Sequence, residues 1–310
     1  MKIVLLDAKT LGDDIDLSVF KQFGTFEAFD TTTPAHCIEH IGDAKIIVTN
    51  KVVISKEIMD ACPNLGLICV AATGMNNVDL EYAKSKNITV KNVAGYSTAS
   101  VAQTTFTLAL YLIGQSAYYD NYVKSGEWVK SQIFTHIDRP FGEIKGKTWG
   151  IIGLGTIGKE VAKIASAFGA KVIYFSASGA NNNSDYEKVS LEQILSQSDI
   201  LSIHAPLNDK TKGLIGEAQL HIMKKDALLL NLGRGGIVDE EALANAIDAQ
   251  AIYAGFDVLA VEPMQAEHPL LHVKHSNRLY ITPHIGWASK EARAELVRLV
   301  GENIKDFLGQ

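Results

Sequence analysis

No stretch of this 310-residue chain approaches the ~20 continuous apolar residues that a membrane span requires, so no transmembrane role is expected. Cysteine is scarce. Cys37, Cys62 and Cys69 form no CxxC pair, and an odd count points to reduced thiols rather than a disulfide framework. The opening MKIVLLDAK has too short an apolar run for a signal peptide and reads as a first strand; with the cysteines, this implies a cytoplasmic protein. Excess positive charge is missing too: the net charge is −6 and the pI near 5.9. A nucleic-acid or anionic-membrane partner needs a basic face, and local clusters such as Lys224–Lys225 read as solvated loop charge. An anionic substrate would therefore be held by individual donors rather than by a global field. There is no internal repeat and no low-complexity tract, Asn181–Asn183 being a polar surface loop.

What is present is an ordinary globular composition, 47% hydrophobic and 21% charged, on a chain long enough for two cores. Short apolar runs at Ile3–Leu6, Ile46–Val48, Leu67–Val70 and Ile88–Lys91 predict strands. Between them Ser55–Ala61, with Ser55 as N-cap, and Leu80–Ser85 predict short helices. That alternation implies parallel βαβ units and a first doubly wound domain. A long helix is expected over Thr98–Ile113. A second series, TWGIIG, AKVIYFS, DILSIHAP, DALLLNLG and AIYAGFDVL, predicts a buried parallel sheet covered on both faces. A last strand, Leu279–Thr282, precedes a helix over Ser289–Phe307.

GLGTIG (Gly153–Gly158) lies between the strand Thr148–Ile152 and the helix Ile157–Phe168, the context a dinucleotide loop needs. Gly153 permits the tight turn, Gly155 admits a pyrophosphate, and Gly158 allows close helix–strand packing. The pyrophosphate would then meet free N–H groups and the positive end of the helix dipole. The next strand should end in an acidic residue for the adenosine ribose, but Ser176 stands there. Nothing would repel a 2′-phosphate, yet Ala177–Glu187 contains no Lys or Arg, so NADP is permitted rather than selected beside NAD. Ser176, Ser178 and Asn181–Asn183 are the candidate donors, and weak discrimination between the two cofactors is expected.

Three later segments, NLGRGG (Asn231–Gly236), DVLAVEP (Asp257–Pro263) and TPHIGWAS (Thr282–Ser289), supply Arg234, Glu262 and His284. Arg234 and His284 each follow a strand, at the carboxyl edge where open α/β sheets bind ligands. A guanidinium pairs a carboxylate bidentately and polarises a carbonyl. Histidine titrates near neutrality and can exchange a proton with a forming alkoxide, while Glu262 would orient it and stabilise its imidazolium. Taken singly, Arg234 also reads as a surface cation paired with Asp239 or Glu240, His284 as a packed histidine, and Glu262 as a loop carboxylate. No metal is expected. Pro269 breaks the ligand-like spacing of His268, His272 and His275, and no carboxylate cluster supports His36, Cys37 and His40.

Together with ATGMNNVD (Ala72–Asp79), these segments resemble the D-isomer-specific 2-hydroxyacid dehydrogenase family over nearly the whole chain. LDAKTLGDDIDLS (Leu6–Ser18), GYSTASVAQ (Gly95–Gln103) and HIGWAS resemble its glycerate dehydrogenase, or hydroxypyruvate reductase, branch more narrowly. The resemblance implies a flavodoxin-like substrate domain, 1–99 with 284–310, interrupted by a Rossmann cofactor domain over 100–283. It implies a homodimer and NAD(P)H-dependent reduction of a short 2-oxo acid, hydroxypyruvate or glyoxylate, to D-glycerate or glycolate. By the same resemblance Arg234 would bind substrate, Glu262 would support the base, and His284 would be the acid/base. Ala72, Thr73 and Gly74 would grip the substrate carboxylate, and Thr156 and Ile157 would cover the pyrophosphate. Ala205, Leu232, Gly233, Asp257, His284 and Gly286 would line the rest of the cofactor, Asp257 near the nicotinamide carboxamide. Two other readings stay open: a D-lactate-type or other 2-hydroxyacid dehydrogenase, and a nucleotide-sensing binding protein of the same fold.

Overall fold

The computed structural model describes residues 1–309. The chain forms two compact units: Met1–Ser97 together with the chain from Trp287, and Thr98–Gly286. The sequence reading put the seams after residues 99 and 283.

The first unit holds β1 (Lys2–Leu5), β2 (Thr25–Ala28), β3 (Ile46–Thr49), β4 (Leu67–Val70) and β5 (Thr89–Lys91), all parallel, in the order β2-β1-β3-β4-β5. Side-chain alternation feeds two cores, as a doubly covered sheet demands. Ile3, Leu5, Ile46, Val48, Leu67 and Cys69 face one way, against Leu296, Val297, Val300 and Ile304 of the C-terminal helix Lys290–Leu308. Val4, Leu6, Ile47, Ile68 and Val70 face the other, against Cys37, Ile41, Met59 and Ala83. The sequence reading missed β2. It is a polar edge strand with little burial, so it carries no apolar run to betray it. Ser55 does occupy the N-cap of helix Lys56–Ala61, but its hydroxyl accepts no backbone N–H there.

The second unit holds β6 (Thr148–Ile152), β7 (Lys171–Phe175), β8 (Glu187–Lys188), β9 (Ile200–Ile203), β10 (Ala227–Asn231), β11 (Ile252–Phe256) and β12 (Leu279–Ile281). All are parallel, in the order β12-β11-β10-β9-β6-β7-β8. The chain starts mid-sheet at β6, runs outward through β7 and β8, then crosses to β9 on the other side. That reversal opens a crevice beyond the carboxyl ends of β6 and β9, where such sheets take ligands. Helix Thr98–Ile113 packs tightly on one face: a Cβ at Gly255 would lie 3.1 Å from the Leu108 Cβ, and Phe106 sits 4.7 Å from Trp149. The two-residue β8, exposed along its length, also escaped the sequence reading.

No helix among the described residues is long and apolar enough to cross a membrane. The three cysteines are buried and unpaired.

Candidate active site

Three loops leave the carboxyl ends of β10, β11 and β12, and a chain of short contacts ties them together. After β10, the Asn231 side chain accepts from the Gly233 N–H (3.1 Å) and donates to the Arg234 carbonyl (3.0 Å), which sets a tight turn. The exposed Arg234 guanidinium donates to the Gly233 carbonyl at 2.8 Å and forms no ion pair with any carboxylate among the described residues. Asp239 and Glu240 are committed elsewhere. Asp239 caps helix Glu240–Asp248, and Glu240 accepts from the Ala260 N–H (2.7 Å) and lies 2.9 Å from His268 Nε2. A surface pairing of Arg234 with either acid is therefore not what the structure holds.

Gly235 presses on the β11 loop so closely that a Cβ would fall 1.8 Å from the Leu259 carbonyl oxygen. The Leu259 N–H in turn donates to Glu262 Oε1 at 2.9 Å. Glu262 Oε2 meets His284 Nδ1 at 2.6 Å. An ionised carboxylate only accepts, so Nδ1 carries the proton and Nε2 is the ring nitrogen left outside this contact. Arg234, Glu262 and His284 thus rest on one braced framework.

The His284 backbone sits in the left-handed region, at φ 54°. For a non-glycine residue this costs on the order of 1 kcal/mol or more and persists only where surroundings enforce it. Asp257, at the end of β11, supplies that enforcement. Its carboxylate accepts from the Thr282 hydroxyl (2.6 Å), the Ile285 N–H (2.8 Å) and the Gly286 N–H (2.8 Å). Burial pushes the Asp257 carboxyl above its ordinary value, opposed by these three donors and by the charge of His284.

The glycine loop lies after β6. Gly153 has φ 92°, and a Cβ there would meet the Ala205 nitrogen at 2.7 Å. A Cβ at Gly158 would fall 2.3 Å from the Gly153 carbonyl, whereas one at Gly155 would meet open space. Gly155 also caps helix Thr156–Ala167 with no side chain covering the first-turn N–H groups. Uncovered donors beside an open approach suit a pyrophosphate.

Residues 106–286 match the family model described as D-isomer specific 2-hydroxyacid dehydrogenase, NAD binding domain. A hydroxypyruvate reductase of Blautia hydrogenotrophica is 37% identical over 99% of this chain and 97% of its own. The chain belongs to the D-isomer specific 2-hydroxyacid dehydrogenases. A glycerate dehydrogenase of Methylorubrum extorquens is 39% identical to this dehydrogenase, over 99% of the chain and 96% of the relative. Among solved structures, an acyclic imino acid reductase in complex with NADPH and D-Arg superposes with a TM-score of 0.87 at 30% identity, covering 100% of this chain and 98% of that one.

As a member of this family the dehydrogenase takes NAD or NADP, and the Gly153–Gly158 loop has the shape to hold either. Beyond β7, Ser176 is buried, and its hydroxyl lies 3.5 Å from that of Ser178 and accepts from the Asn181 N–H at 3.3 Å. The Asn181 side chain donates to the Leu154 carbonyl at 2.5 Å, so the loop after β7 touches the glycine loop. Leu232 and Gly233 are buried past β10, and Ala205 is buried past β9. Ala72, Thr73 and Gly74 belong to the first unit, just past β4; the Thr73 hydroxyl donates to the Val93 carbonyl at 3.1 Å, and its own carbonyl accepts from Asn92 at 2.7 Å.

Two residues escaped the sequence reading. His204, just past β9, has both ring nitrogens buried without a hydrogen-bond partner, and burial pulls its pKa down to about 3. The sequence signal was a histidine ending an apolar strand, which looks like any packed residue. Lys188, on β8, reaches back over the loop after β7, donating to Asn182 Oδ1 at 2.8 Å and to the Gly179 carbonyl at 3.1 Å. It is the residue that directly follows Ala177–Glu187, the stretch without Lys or Arg.

Proposed function

We propose that this dehydrogenase reduces hydroxypyruvate or glyoxylate, the substrates named by its relatives, to D-glycerate or glycolate with NAD(P)H. The observation that carries the reading is the His284–Glu262 pair at 2.6 Å on the same framework as an exposed arginine without a carboxylate partner.

Bound NAD(P)H supplies a hydride to the carbonyl carbon. Every other step belongs to the chain. Arg234 draws the 2-oxo acid by its carboxylate and polarises the keto oxygen through the same planar donor set. His284, protonated, places its Nε2–H toward that oxygen and transfers the proton as negative charge builds there. Glu262 stabilises the imidazolium beforehand and holds the ring against rotation. In the reverse direction neutral Nε2 takes the proton from the 2-hydroxy acid. In the first unit, the amides around Ala72, Thr73 and Gly74 are proposed to receive the substrate carboxylate.

The test is absorbance at 340 nm with hydroxypyruvate, glyoxylate, pyruvate and phenylpyruvate against both cofactors. Highest kcat/KM on hydroxypyruvate or glyoxylate supports the reading. A preference for pyruvate would make it a D-lactate-type enzyme, and nucleotide binding with no turnover of any 2-oxo acid would overturn the catalytic reading.

The partner in the same proposal is a second copy of the chain. Val129, Ile133, Phe134, Ile137 and Phe141, in the segment that leads into strand β6, are all exposed large apolar side chains, Phe134 at 89%. An exposed run of this kind marks an association surface, and a closed two-fold pair is the commonest way to bury it. Sedimentation equilibrium giving a monomer at micromolar concentration would refute the dimer. The three buried, unpaired cysteines support a reducing, cytoplasmic setting.

A further inference from the structure

We infer that Lys188, together with Ser176 and Ser178, makes this dehydrogenase prefer NADPH over NADH. The inference rests on the nucleotide reading above and names the residue that decides between its two forms.

In a dinucleotide fold the residue ending the second strand addresses the adenosine ribose, where a carboxylate selects the free 2′-hydroxyl and a nearby cation accommodates a 2′-phosphate. Here that residue is Ser176, whose short neutral side chain offers no repulsion. The loop that follows turns on Gly179, at φ 77°, and folds back. The Gly179 N–H donates to the Ser176 carbonyl, and the Ala180 N–H donates to the Ser178 hydroxyl at 3.2 Å. Two serine hydroxyls therefore face each other at 3.5 Å at the strand end. The Asn181 contact with Leu154 fixes this loop against the glycine loop, so the strand end and the pyrophosphate site adjoin.

The cation comes from the other side. Pairing of Tyr174 with Lys188 in the β7–β8 register sets Lys188 level with the end of β7. Its ammonium lands on the loop's neutral oxygens, those of Gly179 and Asn182. No carboxylate among the described residues pairs with it. The neighbouring Glu187 is taken by Lys171 at 2.9 Å, and the Asp185 carboxylate accepts from Asn183. An ammonium held only by neutral acceptors keeps its full charge available to an anion, and its three rotatable donors suit a phosphate. The Tyr174 hydroxyl, bonded to the Asn183 N–H at 2.9 Å, fixes the base of the loop beneath it.

The experiment measures binding rather than turnover. Intrinsic fluorescence titration of the whole chain with NADPH and with NADH, and competition by 2′,5′-ADP and by 5′-AMP, give dissociation constants for the nucleotide with and without its 2′-phosphate. The expected result is NADPH binding at least about tenfold tighter than NADH, with 2′,5′-ADP exceeding 5′-AMP by a similar factor. Lys188→Gln should cut both ratios by about tenfold, Lys188→Arg should keep them, and Ser176→Asp should invert them. Equal or tighter NADH binding in the unmodified chain overturns the inference while leaving the dehydrogenase reading intact, as do ratios indifferent to Lys188→Gln. Binding of neither nucleotide would overturn the nucleotide reading and this inference with it.

Discussion

His284 and His204 follow strands of the same sheet at the same edge, yet their surroundings differ in almost every respect. His284 is partly exposed, sits in a left-handed backbone conformation and shares a 2.6 Å contact with a carboxylate. His204 has two buried ring nitrogens and nothing to bond them. The first has a carboxylate partner and partial access to water; the second is held neutral by burial. Proton chemistry at this edge follows from the acceptors beside the ring and from access to water, not from the residue type. The same contrast runs through the loops. Those after β10, β11 and β12 are braced by the carboxylates of Asp257 and Glu262, while the loop after β7 is held by hydroxyls, amides and the Lys188 ammonium.

The strongest way to break this comparison is at His284 itself. His284→Ala is expected to lower kcat by at least about a hundredfold, the scale of lost general-acid catalysis, and near wild-type turnover across the pH range would remove it from the mechanism. Gly235→Ala comes next, because the added methyl would collide with the Leu259 backbone. Overpacking against a backbone atom should cost about 2 kcal/mol and disturb Arg234 and Glu262 together, seen as a lower Tm and a lower kcat/KM. Unchanged stability would show that the two loops are not braced against each other.

Asp257→Asn tests the brace beneath His284. The amide can still accept from Thr282 and Ile285, but its NH2 would face the Gly286 N–H, donor against donor. A loss of about tenfold in kcat is expected, with KM for the 2-oxo acid changing less. If KM alone rises, Asp257 acts on ligand binding and not through His284.

The smallest effect at neutral pH belongs to His204. Its pKa, about 3 in the folded chain against the ordinary 6.5, means that the unfolded chain binds a proton where the folded one does not. Stability from the neutral ring is fully present above pH 6.5 and is lost as pH falls toward 3. His204→Leu should therefore leave Tm nearly unchanged at pH 7.5 and flatten its decline between pH 6.5 and 4. A wild-type slope in that variant would assign the acid sensitivity to other groups.

The strands buried on both faces were legible in the sequence because each is a run of β-branched and aliphatic residues ended by turn chemistry. β2 and β8 were not, since an exposed edge strand is selected for polarity and pairs through backbone alone. Arg234, Glu262 and His284 were legible as residue types at strand ends. The Gly235–Leu259 contact and the Leu259–Glu262 bond that join them were not, being properties of loop packing. Asp257 was expected near the cofactor only by the family resemblance; that both its oxygens hold the backbone after β12 required coordinates. Lys188 was hidden for a related reason, as its reach depends on how the loop after β7 folds back.

The bond from the Ser100 hydroxyl to the Gly286 carbonyl, 2.7 Å long, joins the first turn of the second unit to its last residue. In the first unit, Tyr96 and Trp287 stand with ring centroids 6.3 Å apart, one on each side of the interruption. The long insertion therefore begins and ends at nearly one point. To the host unit it carries the closure entropy of a short hairpin rather than of a long open loop, because its ends are already fastened. Each piece can then be treated as separable material. Thr98–Gly286 should be expressible alone as a nucleotide-binding module, and the host should tolerate a few glycines in its place.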